Sequence, residues 1–545
     1  MSDLKPYQII SQKKIAERDS KIPAEWKITF DANEPCLLSL PETCGLLTER
    51  ELEITGKYDG TGLLAEIAKG TYTALEVTTA FCKRTAIAQQ AVNCCTEIFF
   101  DKALERAKEL DTIFATTGKT VGPLHGLPIS LKDTVNVAGV DSVIGVAAYA
   151  FKPEPKNSVV VDVLEDLGAI MYCKTNVPQS MMVPDTDNNV FGKTRNPLRK
   201  ELSASGSSGG LAALVAMRGS LIGIGTDLGG SIRVPAYTHG LYAIKPSSGR
   251  IPYHNMKGFW SPGQDATGIL CVNAPMAVSL RDIELVTREI SLAEPWLRDP
   301  SCQYLPWIEP EPVQRPLAIG VISYDKEVRS LPPIARILEE TVAKLKAAGH
   351  EIVEMELYKA EEISVNAVNN FQIDGAAYLQ AACAETEEPL TEANLNGGLY
   401  PCDQGTLFDL LAYTHTRANL QEDWLHYWAS SKKLTSTGKP VDALLLPVLS
   451  FPPRPDGVLI RSHFTRTFNN LDYPSIVLQA GKIDMTKDDV ELPEPENALE
   501  KRVHETYAPG VRQRLDGFPI GLQLIGQRQM EPKLFQTANI VSKVL

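Results

Sequence analysis

The chain has 545 residues, 43% of them hydrophobic and 22% charged, which is ample material for a large core and excludes a disordered or fibrous protein. A net charge of −13 leaves no basic surface for a phosphate backbone, so nucleic acid is excluded as a main partner. Ten cysteines at irregular spacings give neither a metal knuckle nor a disulfide framework, which fits a reducing cytosol.

Residues 1–60 read as a helical and irregular extension, broken by Pro23, Pro35 and Pro41; Met1 to Lys27 is charged throughout and lacks the apolar stretch of a signal peptide. Residues 61–545 read as one large domain. Thr73 and Glu76 form a capping-box pattern, after which Leu75, Thr78, Phe81 and Cys82 share a helical face. Ala103, Leu104, Ala107, Leu110 and Ile113 mark a second amphipathic helix. From Leu124 the texture becomes α/β: strands at Ile129–Leu131 and Ala169–Cys173 flank a helix at Val159–Leu167. The run Leu211 to Gly225 reads as buried helix plus strand and is too short to cross a bilayer comfortably. The strand, helix, strand order repeats over Leu317–Ile322, Ile334–Ala348 and Glu351–Leu357. Further strands are expected at Leu444–Leu446, Ser475–Leu478 and Ile520–Ile525. The acidic stretch Ile483–Arg502 reads as a solvated surface excursion. The fold class is therefore α/β, a mixed sheet covered by helices on both faces.

Two glycine-serine turns carry the chemistry: Gly206-Ser207-Ser208-Gly209-Gly210, and Thr226-Asp227-Leu228-Gly229-Gly230-Ser231-Ile232-Arg233-Val234-Pro235. One buried helix and one strand between them would bring two hydroxyls and several backbone N–H groups to one rim of the sheet, as acyl transfer requires. The first turn also matches the loose nucleophile-elbow pattern with Ser208 in the middle. The preceding Leu202-Ser203-Ala204-Ser205 is small and polar instead of strand-like, which argues against an elbow. Gly223, Gly225 and Gly229 mimic a dinucleotide fingerprint, but the helix precedes them. The eight histidines, including His125, His239 and His254, show no metal-ligand spacing, and neither a metal nor a cofactor is indicated.

The two turns together resemble the defining block of the amidase signature family. Gly122 to Asp133 is similar to the segment that carries the family's lysine. Further similarity lies in Lys174-Thr175-Asn176-Val177-Pro178, Thr194-Arg195-Asn196-Pro197, Lys245-Pro246 with Gly249-Arg250, and Gly517 to Gln523. Ile22 to Lys27, Ala80 to Gln90 and Asn470-Leu471-Asp472 look like the branch of fungal acetamidases and general amidases.

The resemblance implies the amidase signature fold and a relay of Ser231 as nucleophile, Ser207 as proton shuttle 24 positions earlier (231 − 207), and Lys132 as base another 75 positions back (207 − 132). It also implies a cis bond at Gly206-Ser207 and an oxyanion hole of backbone N–H groups at Leu228, Gly229, Gly230 and Ser231. Ser208, Asp227 and Arg233 would support the loop, and Met181 with Met182 would line the acyl pocket. Tyr253 and Trp260 stand where they could rim the site, with packing the plainer role. A base at position 132 must be neutral, so burial that disfavours the ammonium form is expected.

The activity implied is hydrolysis of a small-molecule amide, with no membrane partner and a homodimer left open. The rivals are the glutaminase subunit of a tRNA-dependent amidotransferase, an esterase or lactamase with the same relay, and a silent paralogue acting as a binding protein. Relative to the family, Ser205 replaces a glycine, Leu211 stands where acetamidases tend to carry Glu, and Ala274 replaces the glycine of a usual Gly-Pro.

Overall fold

The computed structural model describes residues 4–31, 33–261, 263–264, 268–397, 401–455, 457–458, 460 and 462–545. Eleven strands form one sheet: β1 (Cys95–Ile98), β2 (Pro128–Lys132), β3 (Ile170–Thr175), β4 (Ile222–Asp227), β5 (Tyr242–Lys245), β6 (Val272–Ala277), β7 (Ala318–Val321), β8 (Glu351–Glu354), β9 (Ala443–Pro447), β10 (Ser475–Lys482) and β11 (Pro519–Ile525). Their order is β1-β3-β2-β4-β6-β5-β10-β11-β9-β7-β8. β2 runs parallel to β3 and β4, and β7 to β8 and β9, whereas the other pairs are antiparallel, so the sheet is mixed.

Side-chain alternation explains why both faces are covered. In β10, Ile476 and Leu478 enter one core while Val477 enters the opposite one; in β9, Leu445 and the pair Leu444 and Leu446 divide in the same way. Helices Val159–Asp166, Leu280–Leu292 and Glu531–Val541 close the first face. Helices Gly209–Ala216 and Arg233–His239 close the second, the face that carries the glycine-serine turns.

The strands and helices expected from Thr73 to Ser208 are present, including the reciprocal Thr73–Glu76 capping box. β1, β5 and β6, and the long helix Leu407–Ser430, lie outside the sequence expectation. Within residues 1–60, helix Pro6–Ser20 lies against the domain through Lys14, whose Nζ is 2.7 Å from Asp141 and 2.8 Å from Glu97. Arg18 adds hydrogen bonds to Asn93 Oδ1 and the Cys95 carbonyl.

The acidic stretch corrects the expectation of a solvated excursion. Asp488 is buried and paired with Arg336 at 2.7 Å, and Glu500 is buried and paired with Arg329 at 2.7 Å. Two of its carboxylates therefore anchor the segment, because a buried charge persists only when paired. Among the described residues no helix is long and apolar enough to cross a membrane.

Candidate active site

β2 and β4 are parallel neighbours, with Leu131 opposite Ile224. Their carboxyl ends therefore open on the same rim of the sheet and present Lys132 from one strand and Thr226 from the next. Helix Gly209–Ala216 packs beneath this rim, and the turn before it delivers Ser207. The Gly206-Ser207 peptide bond is cis. Glycine is required at 206, where a Cβ would stand 2.3 Å from the Asp185 carbonyl oxygen. Ser205, the residue that replaces a family glycine, sits at φ 58°, with its carbonyl accepting a 2.7 Å bond from Thr186 Oγ1.

Lys132 is fully buried. Its Nζ lies 2.7 Å from Ser207 Oγ and 2.8 Å from Thr226 Oγ1. Burial removes the water that would solvate an ammonium ion and pulls its pKa down to about 7, against weaker opposing effects of Cys271 and Asp227. The adjacent strand carries a second buried lysine, Lys174, in a different setting. Lys174 donates to the Asp141 carbonyl and to Ser142 Oγ and stands 3.8 Å from the Asp133 carboxylate. Lys132 makes no ion pair among the described residues, so little offsets its desolvation, and it is the lysine of the two suited to act as a neutral base.

The second turn is built around Asp227. Its carboxylate accepts from the N–H groups of Gly230 at 2.9 Å and Ile232 at 3.2 Å, from Arg233 Nε at 3.0 Å and from Asn469 Nδ2 at 2.8 Å. Burial pushes this carboxyl up, but the Arg233 guanidinium and Asn469 win and hold it well below the usual carboxylate range. Arg233, also fully buried, reaches Gln523 Oε1 at 3.2 Å. Gly230 sits at φ 128°, and a Cβ there would be 2.8 Å from Thr465 Oγ1. Only glycine fits that conformation without strain.

Of the four backbone donors expected at the oxyanion hole, the Gly230 N–H is thus occupied by Asp227. Those of Leu228, Gly229 and Ser231 have no partner among the described residues. The two turns are joined by a 3.1 Å bond from the Ser208 N–H to the Ser231 carbonyl. Ser208 stands at the N-cap of helix Gly209–Ala216 without a side-chain cap, and its hydroxyl donates to the Thr226 carbonyl at 3.4 Å.

Ser231 lines two cavities. One, of about 100 Å³, is walled by Val234, Val368, Phe371, Leu449 and Ile460; the other, of about 260 Å³, is lined by Ser207, Thr226, Tyr253, Trp260 and Tyr378. Met181, Met182 and Leu228 border both. The Ser207–Lys132 contact is formed. No hydrogen bond joins the Ser231 hydroxyl to Ser207 among the described residues, and such contacts commonly tighten only when substrate is bound.

Sequence reasoning missed two residues at this site. Thr226 belongs to the quoted motif but had no role, and Cys271, whose thiol borders Lys132 and Thr226, carries no signal because it comes from β6's approach across the sheet. His239 is buried, its pKa pulled down by that burial to about 4, and its Nδ1 bonds to Thr238 and the Pro235 carbonyl.

The amidase family model matches residues 76–535, and the chain belongs to that family. It is 37% identical to a protein named putative amidase kk1C from Curvularia clavata, over 99% of this chain and 98% of the other. It is 35% identical to an acetamidase of Aspergillus oryzae over 99% of both. Among solved structures, a fatty acid amide hydrolase superposes with a TM-score of 0.90 at 30% identity, covering 98% of this chain and 94% of the other.

Proposed function

We propose that this chain, an amide hydrolase by family, cleaves a carboxylic amide through an acyl-enzyme on Ser231, with Ser207 shuttling the proton and Lys132 as base. The observation that carries the reading is Lys132: a fully buried amine, 2.7 Å from Ser207, with a pKa near 7. A lysine in water is neutral only about one time in a thousand at physiological pH, whereas this one is neutral about half the time.

In acylation, Ser231 Oγ bonds to the carbonyl carbon as its proton passes to Ser207 and the Ser207 proton passes to Lys132. Thr226 Oγ1, which accepts a bond from Nζ, keeps the lone pair aimed at Ser207. The carbonyl oxygen takes the displaced electron pair and faces the free N–H groups of Leu228, Gly229 and Ser231. Such donors contribute about 100-fold or more in rate each. Collapse breaks the C–N bond, and the amine leaves with the proton returned through Ser207. Water then attacks the ester carbon, passes its proton along the same chain and releases the acid, so one amide and one water give one acid and one amine.

Asp227 and Arg233 hold the oxyanion loop in shape, and Ser208 ties the two turns together. The substrate in this reading is a small-molecule amide, with neither nucleic acid nor membrane as partner, in a reducing cytosol. The net charge of −13 and free cysteines support that setting. Size-exclusion chromatography decides between monomer and homodimer.

An amide panel assayed with wild type, Ser231→Ala and Lys132→Ala tests the mechanism. Turnover by the wild type without any added partner chain, lost in both variants, is expected. Equal turnover by Ser231→Ala would overturn the relay.

A further inference from the structure

The two cavities that meet at Ser231 differ in size and in chemistry. A cavity of about 150 Å³ is enough to take up a benzene ring in an engineered protein. The smaller cavity here, about 100 Å³, with Gln372, Arg454, Thr465 and Arg466 on its lining beside the apolar wall, falls short of that, and the other, about 260 Å³, exceeds it. The larger cavity is also the aromatic one. Tyr253, Phe259, Trp260 and Tyr378 contribute to its wall, with Met181 and Met182 shared between the two cavities. Phe259 and Trp260 meet edge to face with ring centroids 5.0 Å apart at 69°. Phe259 is 5% exposed, so the Trp260 ring is propped by a buried neighbour before any ligand arrives.

The relay decides which half of an amide each cavity receives. The leaving nitrogen must collect its proton from Ser207, and Ser207 with Thr226 lines the aromatic cavity only. Gly229 and Gly230 of the oxyanion loop line the smaller cavity only, while Leu228 and Ser231 stand between the two. A substrate whose carbonyl oxygen faces that loop and whose nitrogen faces Ser207 therefore places its acyl carbon chain among Val234, Val368, Leu449 and Ile460, and its amine substituent among the rings.

We propose that the preferred substrate is a secondary amide of a short acid with an amine that bears an aromatic ring, the ring of the leaving amine being held between Trp260 and Tyr253. The proposal rests on the Ser231–Ser207–Lys132 reading and adds to it the direction in which the substrate lies.

Two isomeric secondary amides carry the test, because they share one benzyl group and differ in the side of the amide bond that bears it: N-benzylacetamide, with the ring on the amine, and N-methyl-2-phenylacetamide, with the ring on the acid. The expected result is a kcat/KM for N-benzylacetamide at least about tenfold above that for its isomer. Trp260→Ala should collapse this ratio, with Trp260→Phe restoring part of it by returning a ring. Enlarging the acyl wall gives the converse. Phe371→Ala, in the small cavity, should raise turnover of N-methyl-2-phenylacetamide relative to its isomer. A wild type that favours N-methyl-2-phenylacetamide, or a ratio indifferent to both cavity variants, would overturn the proposal while leaving the relay standing. Ser231→Ala, run on both amides, separates the two ideas: unchanged turnover in that variant removes the relay and the orientation with it.

Discussion

Replacing Lys132 by Met gives a sharp test of the idea that burial supplies the base. The side chain is similar in length and apolar, so it fills the fully buried site without a charge to desolvate. In the unfolded chain Lys132 has its ordinary pKa of 10.5, and in the folded protein about 7. The folded value is the lower one, so between the two the unfolded state holds a proton that the native state lacks, and stability rises with pH across that window. At about pH 8.5, unfolding should take up close to one more proton in the wild type than in Lys132→Met. From about pH 7.5 to about pH 9.5 the wild type should gain about 2.5 kcal/mol more stability than the variant, which follows from the two pKa values at about 1.4 kcal/mol per unit. Proton uptake is read directly by denaturing each protein in unbuffered guanidinium under a pH-stat. The comparison is insensitive to the bonds to Ser207 and Thr226 that the variant also loses, because those do not titrate in this range. Equal uptake by both proteins would mean that Lys132 is an ordinary charged lysine in the fold and could not serve as a neutral base.

The same shift predicts that wild-type kcat/KM rises with pH through about 7 and then levels, as the amine loses its proton; a limb near 10 would refute it. Thr226→Val keeps the shape but removes the second partner of Lys132 Nζ, and kcat/KM should fall about tenfold with KM little changed, measured on the best amide. Gly230→Ala forces a Cβ against Thr465 at a backbone angle that suits glycine, so kcat should drop about 100-fold through distortion of the oxyanion loop, with far-ultraviolet circular dichroism retained. Asp488→Asn strips Arg336 of its buried partner, and limited proteolysis should then cut within residues 483–502 faster than in the wild type.

Most of the sheet was legible because its strands are short apolar runs bounded by glycine or proline, as at Ile129–Leu131 and Leu444–Leu446. β5 and β6 escaped notice for a physical reason. Tyr242-Ala243-Ile244-Lys245 is only four residues long, and Val272-Asn273-Ala274-Pro275-Met276-Ala277 carries an asparagine and a proline that discourage a strand assignment. Tertiary pairing with β4 and β10 holds them in place. The acidic stretch misled because composition reports average polarity and does not reveal which carboxylates meet an arginine. Asp488 finds Arg336 from 152 residues away.

At the candidate site, the sequence singles out the serines and the lysine because they lie in motifs, whereas Thr226 lies in the same motif and is given no role. Its place depends on which strands lie side by side, which no linear pattern reports: β4 runs parallel to β2, and where the two strands end the Thr226 hydroxyl meets the Lys132 amine. The end of β4 also divides its contacts. Side chains alternate in direction along a strand, so Thr226 can turn toward the base while Asp227, next in line, turns toward Arg233, Asn469 and the loop that carries Ser231. One strand end thus contacts both Lys132 and the loop that carries Ser231. Asp227→Asn is the consequence to examine. It keeps the side chain's size and leaves Arg233 charged and buried without its counterion, which typically costs about 3–5 kcal/mol. The loss should appear as a lowered midpoint of thermal unfolding together with reduced kcat. The same variant also removes a negative charge that raises the Lys132 pKa, so the alkaline plateau of kcat/KM should begin at lower pH than in the wild type. A plateau that moves to higher pH would show that Asp227 reaches Lys132 by some route other than its charge.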